Sequence, residues 1–325
     1  MKFFFPTRIR LPFFGLVLLL VLAACGPDVS ALKEKRDVQG LISILGDTKK
    51  SLSVRTDAAN ALGEIADPLA VDPLIAYMQE CAATLNKTGL PRGMWDDAKR
   101  ACGNVSQTLG QMGDSRAVDP LINLLDNLHV RKNVWQALGK LGDPRAIVPL
   151  INGMYASFFA TEKEGDRYAE LRPIVIGLAE KSGSQAFEPL RDALPSFYVK
   201  GEDGYCYKYS LGISALLMTK DPRLEQVLLS ELETYQGCKY LLPNALAEFY
   251  KDDVAKLIPL FEAHTDFFYK ILIGVKNPEA DHALIAALDK SNSLEMAKDF
   301  HSSGNPALEA AAHQWGEKWG YQFID

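Results

Sequence analysis

Ala137-Leu138-Gly139-Lys140-Leu141-Gly142-Asp143-Pro144-Arg145-Ala146-Ile147-Val148-Pro149-Leu150-Ile151 decides the fold, because the chain writes this phrase more than once. Upstream, Thr108-Leu109-Gly110-Gln111-Met112-Gly113-Asp114 leads to Arg116-Ala117-Val118-Asp119-Pro120-Leu121-Ile122. Earlier still, Ala61-Leu62-Gly63-Glu64-Ile65-Ala66-Asp67-Pro68 leads to Ala70-Val71-Asp72-Pro73-Leu74-Ile75. Fainter copies follow: Gly177-Leu178-Ala179 before Ala186-Phe187-Glu188-Pro189-Leu190, and Ala245-Leu246-Ala247 before Leu257-Ile258-Pro259-Leu260. Self-similarity with a base period of about 30 residues marks a repeat array, with insertions in several loops.

Each copy reads as two helices. Val54, Ala58, Ala61, Leu62 and Ile65 recur at helical spacing and are expected to share one inward face. Gly142 stops the first helix, Asp143 caps the second, and Pro144 occupies its first turn. The prolines at 73, 120, 149, 189 and 259 fall where the backbone N–H has no intrahelical acceptor and so disturb little. A helix pair of this kind buries its apolar face only against its neighbours. The expected fold is therefore all-α, an α-solenoid superhelix of about eight helix-pair repeats over residues 37–325. Asp37 to Asp47 reads as a leading half-unit. Ala307 to Trp315, followed by Trp319, Tyr321 and Phe323, reads as an aromatic C-terminal cap.

This pattern resembles the HEAT-like repeats of the phycobilisome-lyase type, from about Asp37 to Trp315. The likeness is strongest in the first three units; Ala179, Leu217 and Ala247 stand where those units carry glycine. It implies an extended concave surface for holding a partner. Lyase chemistry does not follow, since a shared fold does not transfer function.

The N-terminus carries a separate message. Lys2, Arg8 and Arg10 precede an apolar run from Leu11 to Val21, the charged and apolar regions of an export signal. The run is shorter than the roughly 20 apolar residues of a spanning helix. Leu22-Ala23-Ala24-Cys25 resembles the lipobox of bacterial lipoproteins. That resemblance implies cleavage of residues 1–24, acylation of Cys25, and a short tether over 25–36. The expected location is the cell envelope, lipid-anchored on the extracytoplasmic side, with the choice between outer and plasma membrane open.

With 48% hydrophobic and 23% charged residues, the chain has ample apolar material for a core. Loss of Lys2, Arg8 and Arg10 with the leader takes the 35 basic residues to 32 against 41 acidic ones, a net charge of −9. Such a balance lacks the basic footprint of nucleic-acid binding. Beyond Cys25, four cysteines remain, Cys81, Cys102, Cys206 and Cys238. Export makes disulfides the expectation, with the local pairs Cys81–Cys102 and Cys206–Cys238 favoured over other pairings or buried free thiols. No CxxC is present to suggest metal.

Catalytic constellations are missing from the sequence. His129, His264, His282, His301 and His313 form no HExxH, and none is followed by Glu; no GxSxG, phosphate-binding loop or GxGxxG occurs either. No cofactor and no metal site is therefore expected. Two features point to binding or cohesion. Asp114/Arg116, Asp143/Arg145 and Asp221/Arg223 could stack as an ion-pair ladder between repeats, or serve as caps with solvated arginines. Trp95, Tyr155, Phe158, Phe159, Tyr205 and Tyr207 lie in the longer insertions, as candidate contacts for a protein partner or as local packing. The functional expectation is a non-catalytic, membrane-tethered scaffold for protein–protein interaction. The alternative is an envelope enzyme or enzyme accessory subunit, lyase-like in character.

Overall fold

The computed structural model describes residues 28–156, 164–197, 207–234, 241–263 and 265–323. The signal segment 1–24, Cys25, Phe158, Phe159, Tyr205, Cys206, Cys238 and His264 lie outside these residues. Two units can be described, Met1–Asp143 and Pro144–Asp325. Unit 1 holds α1 (Val29–Glu34), α2 (Val38–Gly46), α3 (Leu52–Ile65), α4 (Val71–Leu85), α5 (Arg92–Met112), α6 (Val118–Ile122) and α7 (Arg131–Leu141). Unit 2 opens with α8 (Ile147–Ala156), α9 (Glu164–Ser182), α10 (Phe187–Phe197), α11 (Tyr207–Met218) and α12 (Leu224–Thr234). It closes with α13 (Leu241–Phe249), α14 (Leu257–Ala263), α15 (Thr265–Val275), α16 (Pro278–Ser291), α17 (Leu294–His301) and α18 (Pro306–Trp319). No strand occurs among the described residues.

Within each unit the odd-numbered helices stack side by side: α3 on α5 and α5 on α7, then α9, α11, α13, α15 and α17 in turn. Even-numbered helices form a second layer against them, with α2 on α4, α8 on α10, and α14 on α16 on α18. This is solenoid packing: each pair is buried by its neighbours in the row rather than around one centre. Leu62, Leu74, Leu109, Leu121 and Leu138 are wholly buried between the layers in unit 1, as are Leu190, Leu216, Leu246 and Leu284 in unit 2.

The repeat glycine has a packing reason. A Cβ on Gly110 would stand 2.6 Å from the Ala137 Cα, so α5 and α7 touch backbone to backbone there. On Gly63 it would stand 2.4 Å from Thr108 Cγ2, a side-chain atom on α5. First helices thus approach closely only where one of them lacks a side chain.

Three expectations need correction. Residues 28–36 are not simply a tether: α1 is capped by Asp28, buries Leu32, and docks on α3 through Lys33–Glu64 and through Arg36, which donates to the Ile65 carbonyl at 3.2 Å. The inward face of α3 is also shifted. Val54 is 37% exposed, while Arg55 is 4% exposed and occupies the interior beside Ala58, Ala59 and Leu62. Finally, Asp67 and Asp114 do not cap the second α-helix itself. Each caps a single 3-10 turn, Pro68–Ala70 or Ser115–Ala117, from which α4 or α6 continues. Pro73 and Pro120 then fall third in their helices, still inside the first turn.

Candidate functional site

The turns between paired helices line one edge of each unit, and their charges are matched from one repeat to the next. The Asp114 carboxylate accepts from the Arg116 backbone N–H at 2.9 Å and from the guanidinium at 2.8–3.0 Å, which fixes the arginine's direction. Arg116 then reaches into the preceding repeat, to the Asp72 carboxylate and the Pro68 carbonyl, each at 2.9 Å. In unit 2, Asp221 orients Arg223 in the same way at 2.8–3.0 Å, and Arg223 pairs with Glu188 and lies 4.4 Å above the Phe187 ring. The hydrogen bonds from Arg223 hold Asp221 far below the usual carboxylate range. Of the two readings left open by the sequence, these two turns follow the ladder. The acceptor is the acid just before the repeat proline, Asp72-Pro73 or Glu188-Pro189. Where that acid is replaced by Val148, the arginine position of the following turn holds Gln185.

Inside unit 1 lies a second charged group that sequence reasoning missed. Arg55 donates from Nε to the Leu45 carbonyl at 2.7 Å and bidentately to Glu80 at 2.8 and 2.5 Å. Its guanidinium stacks 4.7 Å from the Tyr77 ring centre, and the Tyr77 hydroxyl meets Thr56 Oγ1 at 3.0 Å. Hydrogen bonding from Arg55 pulls Glu80 below its ordinary value. The cluster therefore clamps α2, α3 and α4 together. The only hint in the sequence was an arginine at a position where the helical wheel turns inward.

Cys81 and Cys102 belong to the same interior, but the expected bridge between them is not formed. Both are free, fully buried thiols on the packed pair α4 and α5. The Cys102 thiol donates to the Met78 carbonyl, with sulfur and oxygen 3.6 Å apart. Burial pushes both thiols up to about 12, and the proximity of Cys102 adds to the shift at Cys81. They behave as small apolar side chains with a weak donor.

In unit 2, tyrosines on first helices bind carboxylates on neighbouring elements: Tyr250 to Glu225 at 2.6 Å, Tyr269 to Asp299 at 2.7 Å, and Tyr209 to Glu231. Lys270 adds bridges to Glu295 at 2.9 Å and Asp299 at 3.3 Å. Beside this scaffold an open groove of about 610 Å³ runs along α12, lined by Arg223, Glu225, Gln226, Leu229, Ser230 and Glu233. Gln226, Ser230 and Glu233 are exposed along it. With Pro222 and Leu229 also lining it, the surface mixes apolar and polar groups and is open rather than enclosed, suited to an extended chain rather than to a small enclosed ligand.

Of the six candidate aromatics, Trp95 is the one whose side chain is described. Its ring meets His129 edge-on at 4.8 Å, with Lys99 Nζ 5.5 Å above its face. The neighbouring Met94 and Leu128 are 50% and 51% exposed. Tyr155 and Tyr207 fall within α8 and α11, but their side chains lie outside the description. His301 and His313 meet at 5.1 Å in the C-terminal cap, where Phe323 stacks 4.8 Å from His301. Among the described residues no three His, Cys, Asp or Glu side chains converge as metal ligands. No described helix is long and apolar enough to cross a membrane.

Comparison with known families falls on the repeats described above. Residues 54–80, spanning α3 and most of α4, match the PBS lyase HEAT-like repeat. Residues 96–157, covering most of α5 through α8, match HEAT repeats. The chain carries HEAT-like repeats. No curated protein matches the chain. The matched stretches are those where the repeat glycine and the Asp-turn are clearest. In the later units the helix pairing persists although Ala179, Leu217 and Ala247 replace the glycine.

Proposed function

We propose that the protein is a membrane-tethered, extracytoplasmic scaffold that holds a protein or peptide partner on its even-helix layer and performs no chemistry itself. HEAT-like repeats present extended surfaces for such partners. The groove along α12 is the observation that carries the reading: it is shallow and open, presents polar and apolar groups together, and two of its lining residues, Arg223 and Glu225, are held in place by Glu188 and Tyr250. Among the displaced ionisable groups of unit 2, Asp221 is bound to Arg223 in its own turn, and Tyr250, Tyr269 and Lys270 are bound to carboxylates on neighbouring helices. Their hydrogen bonds serve cohesion, which favours a scaffold over an enzyme built on perturbed groups converging in a pocket. Tethering and export rest on the charged leader, the apolar run and Cys25.

The test is crosslinking and pull-down of the membrane-bound protein, run beside a variant with Gln226→Lys and Glu233→Lys in the groove. The expected result is one stoichiometric partner, recovered at least about tenfold less by the variant. Equal recovery by both proteins, or no partner together with turnover of an envelope substrate, would overturn the proposal.

A further inference from the structure

Two of the exposed large apolar residues of unit 1, Met94 and Leu128, fall together, while Val54 and Leu69 stand apart on α3 and in the turn before α4. Gly103 meets the Asn133 side chain and Gly110 meets Ala137, so α5 and α7 run in the same direction. Their N-terminal ends therefore share one edge. Met94 and Trp95 sit in the first turn of α5, and Leu128 and His129 in the turn just before α7. The Trp95–His129 contact at 4.8 Å joins the two segments into one patch. Met94 and Leu128 leave half their surface in water, which core or loop packing does not require.

The charge around this patch runs against that of the whole chain. Within residues 86–100 and 126–132, Lys87, Arg92, Lys99, Arg100 and Lys132 are exposed basic residues. Three acids, Asp96, Asp97 and Asp126, stand against them. Asp97 is bound to Arg100, and Asp96 lies 4.0 Å from Arg92. A tryptophan, a methionine and a leucine with a lysine over the tryptophan ring and an excess of basic residues in the flanking segments is the composition of a surface that seats at the headgroup level of a bilayer. The position of the anchor adds a constraint. α1 starts at Val29, four residues after Cys25, and docks at the C-terminal end of α3, so the anchor leaves unit 1 away from this edge and a contact at the patch must be a separate one.

We propose that the Met94–Trp95–Leu128 edge rests on the anionic surface of the membrane that holds Cys25, giving unit 1 a second contact with the bilayer. The inference rests on the tethered reading above, and the experiment separates the two. In cells fed an alkyne fatty acid, label that is lost with Cys25→Ala tests the anchor. The labelled mature protein is then reconstituted in vesicles of phosphatidylcholine and phosphatidylglycerol at 3:1, with part of the phosphatidylcholine brominated on its acyl chains. Trp135 and Trp315 are buried, so the quenchable emission comes from Trp95 and Trp319. The expected result is quenching that Trp95→Phe largely abolishes and that Lys87→Glu with Lys99→Glu reduces severalfold. Label without Trp95-dependent quenching would leave the anchor standing and overturn the membrane contact. So would a crosslink from the patch to a protein partner that shields Trp95 from bromine. Absence of label would remove both.

Discussion

Gly110 shows how one missing side chain sets the spacing of a row of helices. A methyl group there meets the backbone of α7 at 2.6 Å, and backbone cannot swing aside. Gly110→Ala should cost about 2–3 kcal/mol in urea unfolding, as overpacking forces α5 and α7 apart. Gly63→Ala meets only the Thr108 side chain, which can change rotamer, and should cost under about 1 kcal/mol. Equal losses at the two positions would refute this account of the repeat glycine. The sequence displayed these glycines as the beat of the repeat but hid their reason, because recurrence does not reveal which neighbour a residue meets. Arg55 was hidden for a related reason. A charge on an amphipathic helix reads as the solvent face until its partner is known, and Glu80 lies on the next helix. The thiols of Cys81 and Cys102 were legible as a local pair, and the structure holds both as free buried thiols, the alternative the sequence left open.

Among the elements, the Asp-x-Arg turns tie one repeat to the next. Asp221 has an ordinary value of 3.8 and is held well below it by the Arg223 hydrogen bonds. Its contribution to stability is complete above about pH 4 and is lost as acid takes the pH down through the folded value. Asp221→Asn should therefore lower the thermal midpoint by several degrees at pH 7, and the gap from wild type should close as the pH falls below 4. A gap that stayed constant from pH 7 to pH 2 would exclude ionisation as its origin. Asp as a cap could be read from sequence spacing alone. That it caps a 3-10 turn could not, since a one-residue difference in hydrogen-bond span leaves no mark on the hydrophobic pattern. The α12 groove left no mark either, because its lining, on one helix and the turn before it, consists of ordinary surface residues.

On the scale of the molecule, cohesion passes from neighbour to neighbour, so damage should stay local. The C-terminal cap offers a clean test. Beyond Gly320, the Tyr321 N–H donates to the Gly316 carbonyl at 2.8 Å, and Phe323 packs on His301 and His313. Deleting residues 321–325 should speed amide exchange in α17 and α18 by about tenfold or more while leaving α3 to α5 unchanged. Faster exchange throughout would contradict the repeat account. The aromatic cap and the all-helical repeat class were plain in the sequence, because periodic apolar positions and terminal aromatics are local signals. The bonding between turns also bears on how such a chain can change length. Arg116 needs Asp72 behind it, so the units are not interchangeable tiles. A tandem duplication keeps each such arginine paired only if the incoming copy carries both the arginine and the acid. Gene rearrangements that split such a couple would strand an ion on the edge, so growth of the array is simplest in whole, charge-matched modules.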